Sequence, residues 1–529
     1  MSLPGEDPGR PTGRIGKAAL VVSAGILLSR VLGMLRNVAL AGLLGNTAEG
    51  DAFQAAFVIP DVLFYLMAGG YLTVTFIPII TRHMVNGDEE EGHRAFAAVF
   101  RPVTIVMVLL TVLAMIFAPS LTDLIYPRFD ALQAGDVTRL TRIVLPAQIF
   151  FVLGSLWMAV QYAHQRFAIP AVAPVVYNLG ILAGGFISWA TGTASATGFA
   201  WGAVGGAFAG NFALQWYGAR RAGLRWVGGV PLRHPALRQY LLLALPLMLG
   251  QSIAVLDEQF VRLFGQLTQA GGISALTYAR RLNMLPVGVI AQTAGVAAYP
   301  FLARLVEEGK LKEMAATVTR TIRYTIFVSA PAVAAIVALS QPAVRVVYQR
   351  GQFGHQDTIL TATTLVFYGL SVPAWGAHQI YSRAFYARRL MWTPVLIGTA
   401  GTVAAVGTYW WLSRYEEPGF ALASTLALVL YTVVLGAAWH SRAGREGASA
   451  ILGSLLRSGL AAGVAAPVAW LVVQWISDGE LPGFWGSLGL VTIGAAVVVA
   501  VYVAMARLLG SPELTELQMR FARTRGSSG

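Results

Sequence analysis

Long apolar stretches joined by short connections constrain this chain more than any motif does. A helix needs about 20 apolar residues to cross the roughly 30 Å hydrocarbon layer of a bilayer. About fourteen runs meet that requirement. Their approximate limits are 18–45, 52–80, 96–125, 140–163, 168–190, 196–219, 239–265, 272–303, 322–346, 358–382, 391–413, 418–440, 451–476 and 484–509. In hydrocarbon the chain must satisfy its own backbone N–H and C=O groups, and runs of this length do so as helices. The expected fold is an all-α polytopic membrane protein with about fourteen transmembrane helices. Composition agrees: 56% of residues are hydrophobic and 12% charged, at a mean hydropathy of +0.63, more apolar surface than a soluble protein hides. There is no cysteine, which excludes disulfides, thiolate metal sites and cysteine nucleophiles. Residues 1–14 lack the basic start and apolar core of a cleaved signal peptide, so the first span is expected to stay.

The net charge is +13, which could mean a nucleic-acid partner. The basic residues, however, sit between the apolar runs, and orientation in the membrane explains them better. Arg10, Arg14 and Lys17, then Arg82 and Arg94, then Arg220, Arg221, Arg225, Arg233 and Arg238 fall on one side. So do Arg304, Lys310, Lys312 and Arg320, the Arg388-Arg389 pair, Arg442 and Arg445, and Arg520, Arg523 and Arg525. Connections at 191–195, 266–271 and 477–483 carry no Lys or Arg, while Arg128, Arg139, Arg345, Arg350 and Arg414 are exceptions on that side. Both termini are therefore expected in the cytoplasm, with no nucleic-acid partner and a monomeric chain.

An internal repeat is visible. Pro78, Arg82 and Gly87 recur as Pro300, Arg304 and Gly309, 222 positions later. Tyr162-Ala163 precedes Pro170 by the same interval as Tyr386-Ala387 precedes Pro394, and Gly198-Phe199-Ala200 recurs as Gly419-Phe420-Ala421. A repeat holding an even number of spans keeps its orientation. That predicts two six-helix lobes related by a pseudo-twofold axis along the membrane normal, with a site between them. The expected organisation is a cytoplasmic segment 1–17, an N-lobe 18–225, a C-lobe 237–445, two extra helices in 451–509 and a cytoplasmic tail 510–529.

Charged residues inside the apolar runs are the functional candidates. Residues 271–288, GGISALTYARRLNMLPVG, carry Arg280 and Arg281. An arginine at mid-bilayer costs about 2.5–3.5 kcal/mol on insertion scales and faces a polar cavity or a partner. Positions 276, 277, 284 and 285, one helical turn away, are Leu, Thr, Met and Leu. With no acid there, an anion from outside the protein is the natural counter-charge. The first run holds Arg30 and Arg36, with Gly25, Ser29 and Gly33 as a small-residue stripe suited to close helix packing. Arg36 is nine residues in from Gly45 and Arg281 nine in from Gly272, roughly 13 Å of helix in each case. Equal depth suits a diphosphate held between them, because guanidinium matches phosphate oxygens bidentately. Arg30 would be a lower contact. The plainer alternative is that these arginines snorkel or pair with Asp51, Asp61 or Asp257.

Asp257-Glu258 in the seventh run reads either as a site for a coupling cation or proton or as an ion-pair partner of Arg262 or of an arginine across the cavity. Pro60-Asp61 and Gly69-Gly70 are expected to bend the second span. His83 and His93, among Asp88, Glu89, Glu90 and Glu91, read as a solvated loop rather than a metal site, and PELTELQMRFARTR as a basic amphipathic tail helix. No G-x-x-x-x-G-K-[ST], H-E-x-x-H or G-x-S-x-G motif occurs, so no ATP motor or hydrolase site is recognisable.

SRVLGMLRN at 29–37, DAFQAAFVIP at 51–60, FIP at 76–78, SALTYARRLNMLPVGV at 274–289 and GFALAST at 419–425 resemble the MurJ (MviN) lipid II flippases of the multidrug/oligosaccharidyl-lipid/polysaccharide exporter superfamily. The resemblance implies a bilobed transporter that moves a lipid-linked peptidoglycan precursor from the cytoplasmic to the periplasmic leaflet of the bacterial inner membrane. It implies that Arg30, Arg36 and Arg281 match the family's essential arginines and that Asp51 matches its aspartate after the first span. It also suggests Asp257 for a sodium site, with sodium ion or membrane potential as the drive and no other cofactor. Asn37, Phe64-Tyr65, Gly69 and Met284 stand where family members often carry charges, which leaves the diphosphate contacts but not the accessory charges. The expected substrate contacts are thus Arg30, Arg36, Asp51, Arg280 and Arg281. The alternatives are a flippase for another lipid-linked oligosaccharide, a small-molecule exporter, or a membrane enzyme acting on polyprenyl diphosphates.

Overall fold

The structure, a computed structural model, describes residues 10–67, 71–85, 87–229, 234–249, 253–444, 446–477 and 483–526. The Gly69-Gly70 bend and residues Arg233 and Arg445 lie outside the described residues. Among those described, the regular structure is helical, with no strand. The chain divides into two units, residues 1–250 and 251–529.

The first unit runs α1 (Arg10–Leu44), α2 (Ala48–Ala55), α3 (Val58–Leu66), α4 (Tyr71–Val85), α5 (Glu89–Ile116) and α6 (Ala118–Ile125). It continues with α7 (Ala131–Ala163), α8 (Ala168–Ala190), α9 (Ala196–Gly206), a π-helical stretch Ala207–Ala213, α10 (Leu214–Arg221) and α11 (Pro235–Leu249). Gly45, at φ +61°, ends α1. Thr47 caps α2, its hydroxyl accepting from the Gly50 N–H at 3.2 Å and donating to the Leu44 carbonyl at 2.8 Å. Pro60 cannot donate to the Ala56 carbonyl, and the second span breaks there. The Thr141 hydroxyl donates to that carbonyl at 3.2 Å, and the Tyr126 hydroxyl to the Ala55 carbonyl at 3.3 Å. A broken helix inside an apolar layer is tolerated when neighbours take up its freed carbonyls in this way.

The second unit runs α12 (Ile253–Phe264), α13 (Gly272–Pro286), a π-helical stretch Val287–Gln292, α14 (Thr293–Glu307), α15 (Leu311–Tyr348), α16 (His355–Gly369) and α17 (Val372–Ala387). It closes with α18 (Trp392–Leu412), α19 (Glu416–Ala443), α20 (Glu446–Ser477), α21 (Phe484–Leu508) and α22 (Pro512–Gly526). Helices α15, α20 and α21 share an apolar core around Leu339, Ala465 and Val498.

Among the described residues eight helical stretches are long and apolar enough to cross a membrane, or nine if α16 and α17, bent by 41°, form one span. One of the eight, residues 392–443, folds back on itself. Tyr431 Oη donates to the Pro394 carbonyl at 3.1 Å across 37 positions, which in a straight helix would lie roughly 55 Å apart. It is a hairpin of two spans, reversed at Glu416 with φ +53°. Runs 52–80, 96–125, 196–219, 272–303 and 358–382 are each divided among successive helical elements. The count of about fourteen thus describes apolar runs, not unbroken helices.

The repeat is present in the backbone. α4 and α14 have the same length, with Pro78 and Pro300 at the same position in each, and Gly87 and Gly309 both follow at φ +71°. α7 and α17 end alike: Gln165 at φ +55° and Arg389 at φ +59° take the left-handed conformation three residues past Tyr162 and Tyr386. Phe199-Ala200 and Phe420-Ala421 are buried in their own units. The unit boundary, however, falls inside the seventh run. Ala236, Tyr240 and Ala244 of α11 join the apolar core of the first unit with Phe96 and Phe100. The apolar face of α11 therefore places the stretch from 237, expected at the start of the C-lobe, within residues 1–250.

Candidate functional site

In the first unit the site residues are arranged on α1, α2 and α8. The Gly25, Ser29 and Gly33 stripe faces α8: a Cβ on Gly25 would lie 2.7 Å from the Ala171 carbonyl oxygen, and one on Gly33 3.8 Å from Asn178 Oδ1. That close approach lets Asn178 act as a bridge. Its Oδ1 accepts from Arg36 Nη1 at 3.1 Å, and its Nδ2 donates to the Pro174 carbonyl at 2.9 Å and the Ser29 carbonyl at 3.3 Å. Arg36 also donates to Asn37 Oδ1 at 3.3 Å. The amide thus fixes the direction of the guanidinium. Arg30 is exposed, and six residues of helix turn it about 120° from Arg36. Asp51 is buried in α2. Two residues earlier, Glu49 Oε1 accepts from the Ala196 N–H at 2.7 Å, the first turn of α9.

In the second unit the expectation of an arginine pair without a protein carboxylate is corrected. α12 and α13 bring two acids onto Arg280 and Arg281 across 22 or 23 positions of sequence. Arg280 Nε lies 3.0 Å from Asp257 Oδ2 and its Nη1 3.4 Å from Glu258 Oε2. Arg281 Nη2 lies 3.0 Å from Glu258 Oε1, and Arg262 Nη2 2.7 Å from the same oxygen. Asp257 Oδ1 accepts from Tyr409 Oη at 2.9 Å and Ser424 Oγ at 2.5 Å. Turn arithmetic along α13 could not see acids supplied by α12. Both readings of Asp257-Glu258 as ion-pair partners, with Arg262 and with another arginine, are realised together.

Exposure separates the three arginines. The side chain of Arg281 is 35% exposed, that of Arg280 10% and that of Arg262 5%. Among the described residues three guanidiniums gather on two carboxylates, and the most open of the three is Arg281. Such a side chain can take an anion, a guanidinium being able to share a carboxylate while it offers its remaining N–H donors. The helix ends used to estimate depth are those observed: α1 stops at Leu44 and α13 starts at Gly272.

Sequence reasoning missed Asn178, Tyr409 and Ser424. A single amide or hydroxyl in an apolar helix carries no spacing signal, although Ser424 lies in the GFALAST stretch. The solvated-loop reading of His83 and His93 is corrected: they lie on α4 and α5, each half-buried, because the connection between the two helices is only a few residues long. Asp88 caps α5 by accepting from the Glu91 N–H at 3.1 Å, Glu90 pairs with Arg94 at 2.7 Å, and Glu91 meets His234 at 2.9 Å. Among the described residues no cluster suited to a metal ion occurs.

Membrane-length helices, a duplicated frame and a buried cluster of paired charges define a polytopic membrane protein. The fold is similar to a solved structure of the lipid II flippase MurJ in an inward closed conformation, with a TM-score of 0.75 at 20% identity over 93% of this chain and 99% of that one. It is also similar to an inward-facing multidrug MATE transporter of the MOP superfamily, with a TM-score of 0.65 at 16% identity over 83% of this chain and 98% of that one. The probable lipid II flippase MurJ of Rhizobium meliloti (strain 1021) is 29% identical over 97% of both chains. The profile of the lipid II flippase MurJ family matches residues 40–482, and the chain belongs to that family.

Proposed function

We propose that this chain moves lipid II, the polyprenyl-diphosphate-linked peptidoglycan precursor, from the cytoplasmic to the periplasmic leaflet of the bacterial inner membrane for cell-wall synthesis. It is a multi-pass lipid transporter and not an enzyme. The observation that carries this reading is the family match across residues 40–482, and the duplicated frame supports alternating access. Arg36 and Arg281 are the diphosphate contacts, with Arg30 and Asp51 as further contacts. Arg280, buried on Asp257, positions the acids. The polyprenyl tail stays in lipid beside the extra helices, where an apolar groove of about 440 Å³ runs between α15, α17, α19 and α20. The chain acts as a monomer without nucleic acid, with both termini cytoplasmic. If sodium drives the cycle, it does so by displacing Arg280 from Asp257.

Hydrogen bonds from guanidinium to a diphosphate are worth about 1.5–3 kcal/mol each. Arg36→Ala or Arg281→Ala should abolish flipping in sealed vesicles at normal membrane abundance. Lysine should rescue only in part, because it offers a point charge in place of a planar fork. The double alanine variant should be little worse than either single one. Full activity in both single variants would remove these arginines from the mechanism. Replacing the native flippase with this chain in a depletion strain tests the substrate directly. Because the chain has no cysteine, topology can be tested with single ones. Thr268→Cys should be labelled from outside the cell and Gly228→Cys should not; the reverse pattern would invert the assigned orientation.

A further inference from the structure

A second cavity lies in the second unit, below the apolar groove. It measures about 890 Å³ and is lined by Lys312, Thr319, Arg320 and Arg323 of α15, Gly447 of α20, and Glu516 of α22. His440 lines both this cavity and the groove. Its ring is fixed at the junction, with Nε2 3.0 Å from Tyr381 Oη and Nδ1 3.2 Å from the Gly444 carbonyl. The apolar groove, walled by Ile326, Val433 and Leu455, and a basic, hydroxyl-lined chamber thus meet at His440. The chamber sits at the end of the bundle where Lys310, Lys312, Arg320 and Arg442 gather, which the distribution of basic residues makes the cytoplasmic end.

Two carboxylates of α22 are aimed into this basic region. Glu513 lies 2.7 Å from Arg323 Nη2 and accepts from Ser511 Oγ at 2.8 Å. Glu516 accepts from Tyr324 Oη at 2.6 Å and sits 3.7 Å from Arg320 Nε. Glu513 is buried, whereas the Arg320–Glu516 pair is looser and its arginine 62% exposed. Glu516 therefore occupies, loosely, a place suited to an anionic headgroup, while Glu513 anchors the helix.

From this geometry we infer that the chamber is a loading site for the diphosphate of a single-chain polyprenyl lipid on the cytoplasmic side, and that Glu516 of the tail helix competes for it. The apolar groove that meets the chamber at His440 suits the hydrocarbon chain of a polyprenyl lipid. Lys312 and Arg320 bind the diphosphate, and the hydroxyl of Thr319 lines its path. The headgroup must push Glu516 aside, so the tail tunes how readily the site is filled. This inference rests on the lipid-flippase reading.

The test uses the full chain in phosphatidylcholine nanodiscs, with an environment-sensitive dye on Ala443→Cys, which lines the chamber. Undecaprenyl diphosphate without sugar should give a saturable shift, and inorganic diphosphate should bind at least tenfold more weakly. Phosphatidylglycerol at the same mole fraction should give no shift. Lys312→Gln with Arg320→Gln should weaken binding at least tenfold, and both side chains are exposed enough to be replaced without disturbing the fold. Glu516→Gln should tighten binding several-fold. No saturable shift, an equal response to phosphatidylglycerol, or unchanged affinity in the Lys312/Arg320 variant would overturn the loading site. Arg36→Ala and Arg281→Ala should keep the dye response while losing flipping. If they keep both, the assigned diphosphate contacts fail and the loading site stands.

Discussion

In the first unit α8 and α9 meet backbone to backbone along their length, whereas in the second the corresponding hairpin, α18 and α19, comes that close at its turn, where a Cβ on Gly419 would lie 2.1 Å from the Leu412 carbonyl oxygen, and meets through side chains beyond it. A Cβ on Gly202 would lie 2.5 Å from the Gly180 carbonyl oxygen, and one on Gly206 2.6 Å from that of Tyr177. At the repeat offset these two glycines correspond to Ala423 and Ala427. In the second unit a Cβ on Gly401 would sit 3.8 Å from that of Tyr431, and Tyr409 and Ser424 turn their hydroxyls onto Asp257 of α12. Glycine-lined packing admits nothing between the helices. The wider pairing leaves room for a charged helix to be read by hydroxyls. One duplicated frame has been specialised, in the first unit for rigid packing and in the second for a buried charge network.

The largest expected effect follows from that network. Asp257→Asn leaves Arg280 buried with only its longer, 3.4 Å contact to Glu258, and losing one member of a buried pair costs about 3–5 kcal/mol. The thermal midpoint of the purified protein should fall accordingly, and adding Arg280→Met should restore part of it, since it removes the under-compensated charge while the neutral amide at 257 keeps the Tyr409 and Ser424 hydroxyls as partners. An unchanged midpoint in Asp257→Asn would show that the second unit is held by packing, like the first. The same variant bears on coupling. If its transport keeps full dependence on sodium or membrane potential, Asp257 is structural.

Much of the frame was legible because its signals are local. An apolar run of spanning length can satisfy its backbone only as a helix, and Pro78 and Pro300 mark equivalent helices because proline leaves a fixed gap in the hydrogen-bond ladder. The partners of Arg280 were not legible. Asp257 and Glu258 lie on another helix, beyond the Gly271 turn, where one-turn arithmetic does not reach. The boundary at 250 was hidden in the same way, since nothing in the apolar first half of the seventh run shows that it alone joins the core of Phe96 and Phe100. The glycines of α8 and α9 stand in the sequence at spacings of four, but which two stripes face each other depends on the fold.

A medium effect separates the two helix pairs. Gly202→Ala places a methyl against the Gly180 carbonyl and forces the helices apart, at a cost of about 1–3 kcal/mol. Gly401→Ala meets only ordinary van der Waals contact and should be neutral or stabilising by up to about 1 kcal/mol, because alanine favours a helix. Thermal midpoints of the two variants, measured side by side, decide the matter. Equal losses would mean that the second hairpin is as tightly apposed as the first.

The smallest effect extends the second unit's use of carboxylate–arginine pairs to its tail. Burial pushes the Glu513 carboxyl up, but hydrogen bonds from its own backbone N–H and the Ser511 hydroxyl, with Arg323 beside it, hold it below its ordinary value of 4.5. A carboxyl lowered by folding contributes stability that is fully present above its unfolded pKa and is lost as pH falls through the lowered one. Docking of α22 should therefore be unaffected near neutrality and weaken only as the pH drops below about 4.5 toward that lowered value. The anisotropy of a dye on Thr515→Cys, which is exposed on α22, should fall in that window as the helix loosens. In Glu513→Gln the anisotropy should be lower at neutral pH and should lack this acid step. A step of the same size in Glu513→Gln would assign it to another group and detach the tail from the charge logic of its unit.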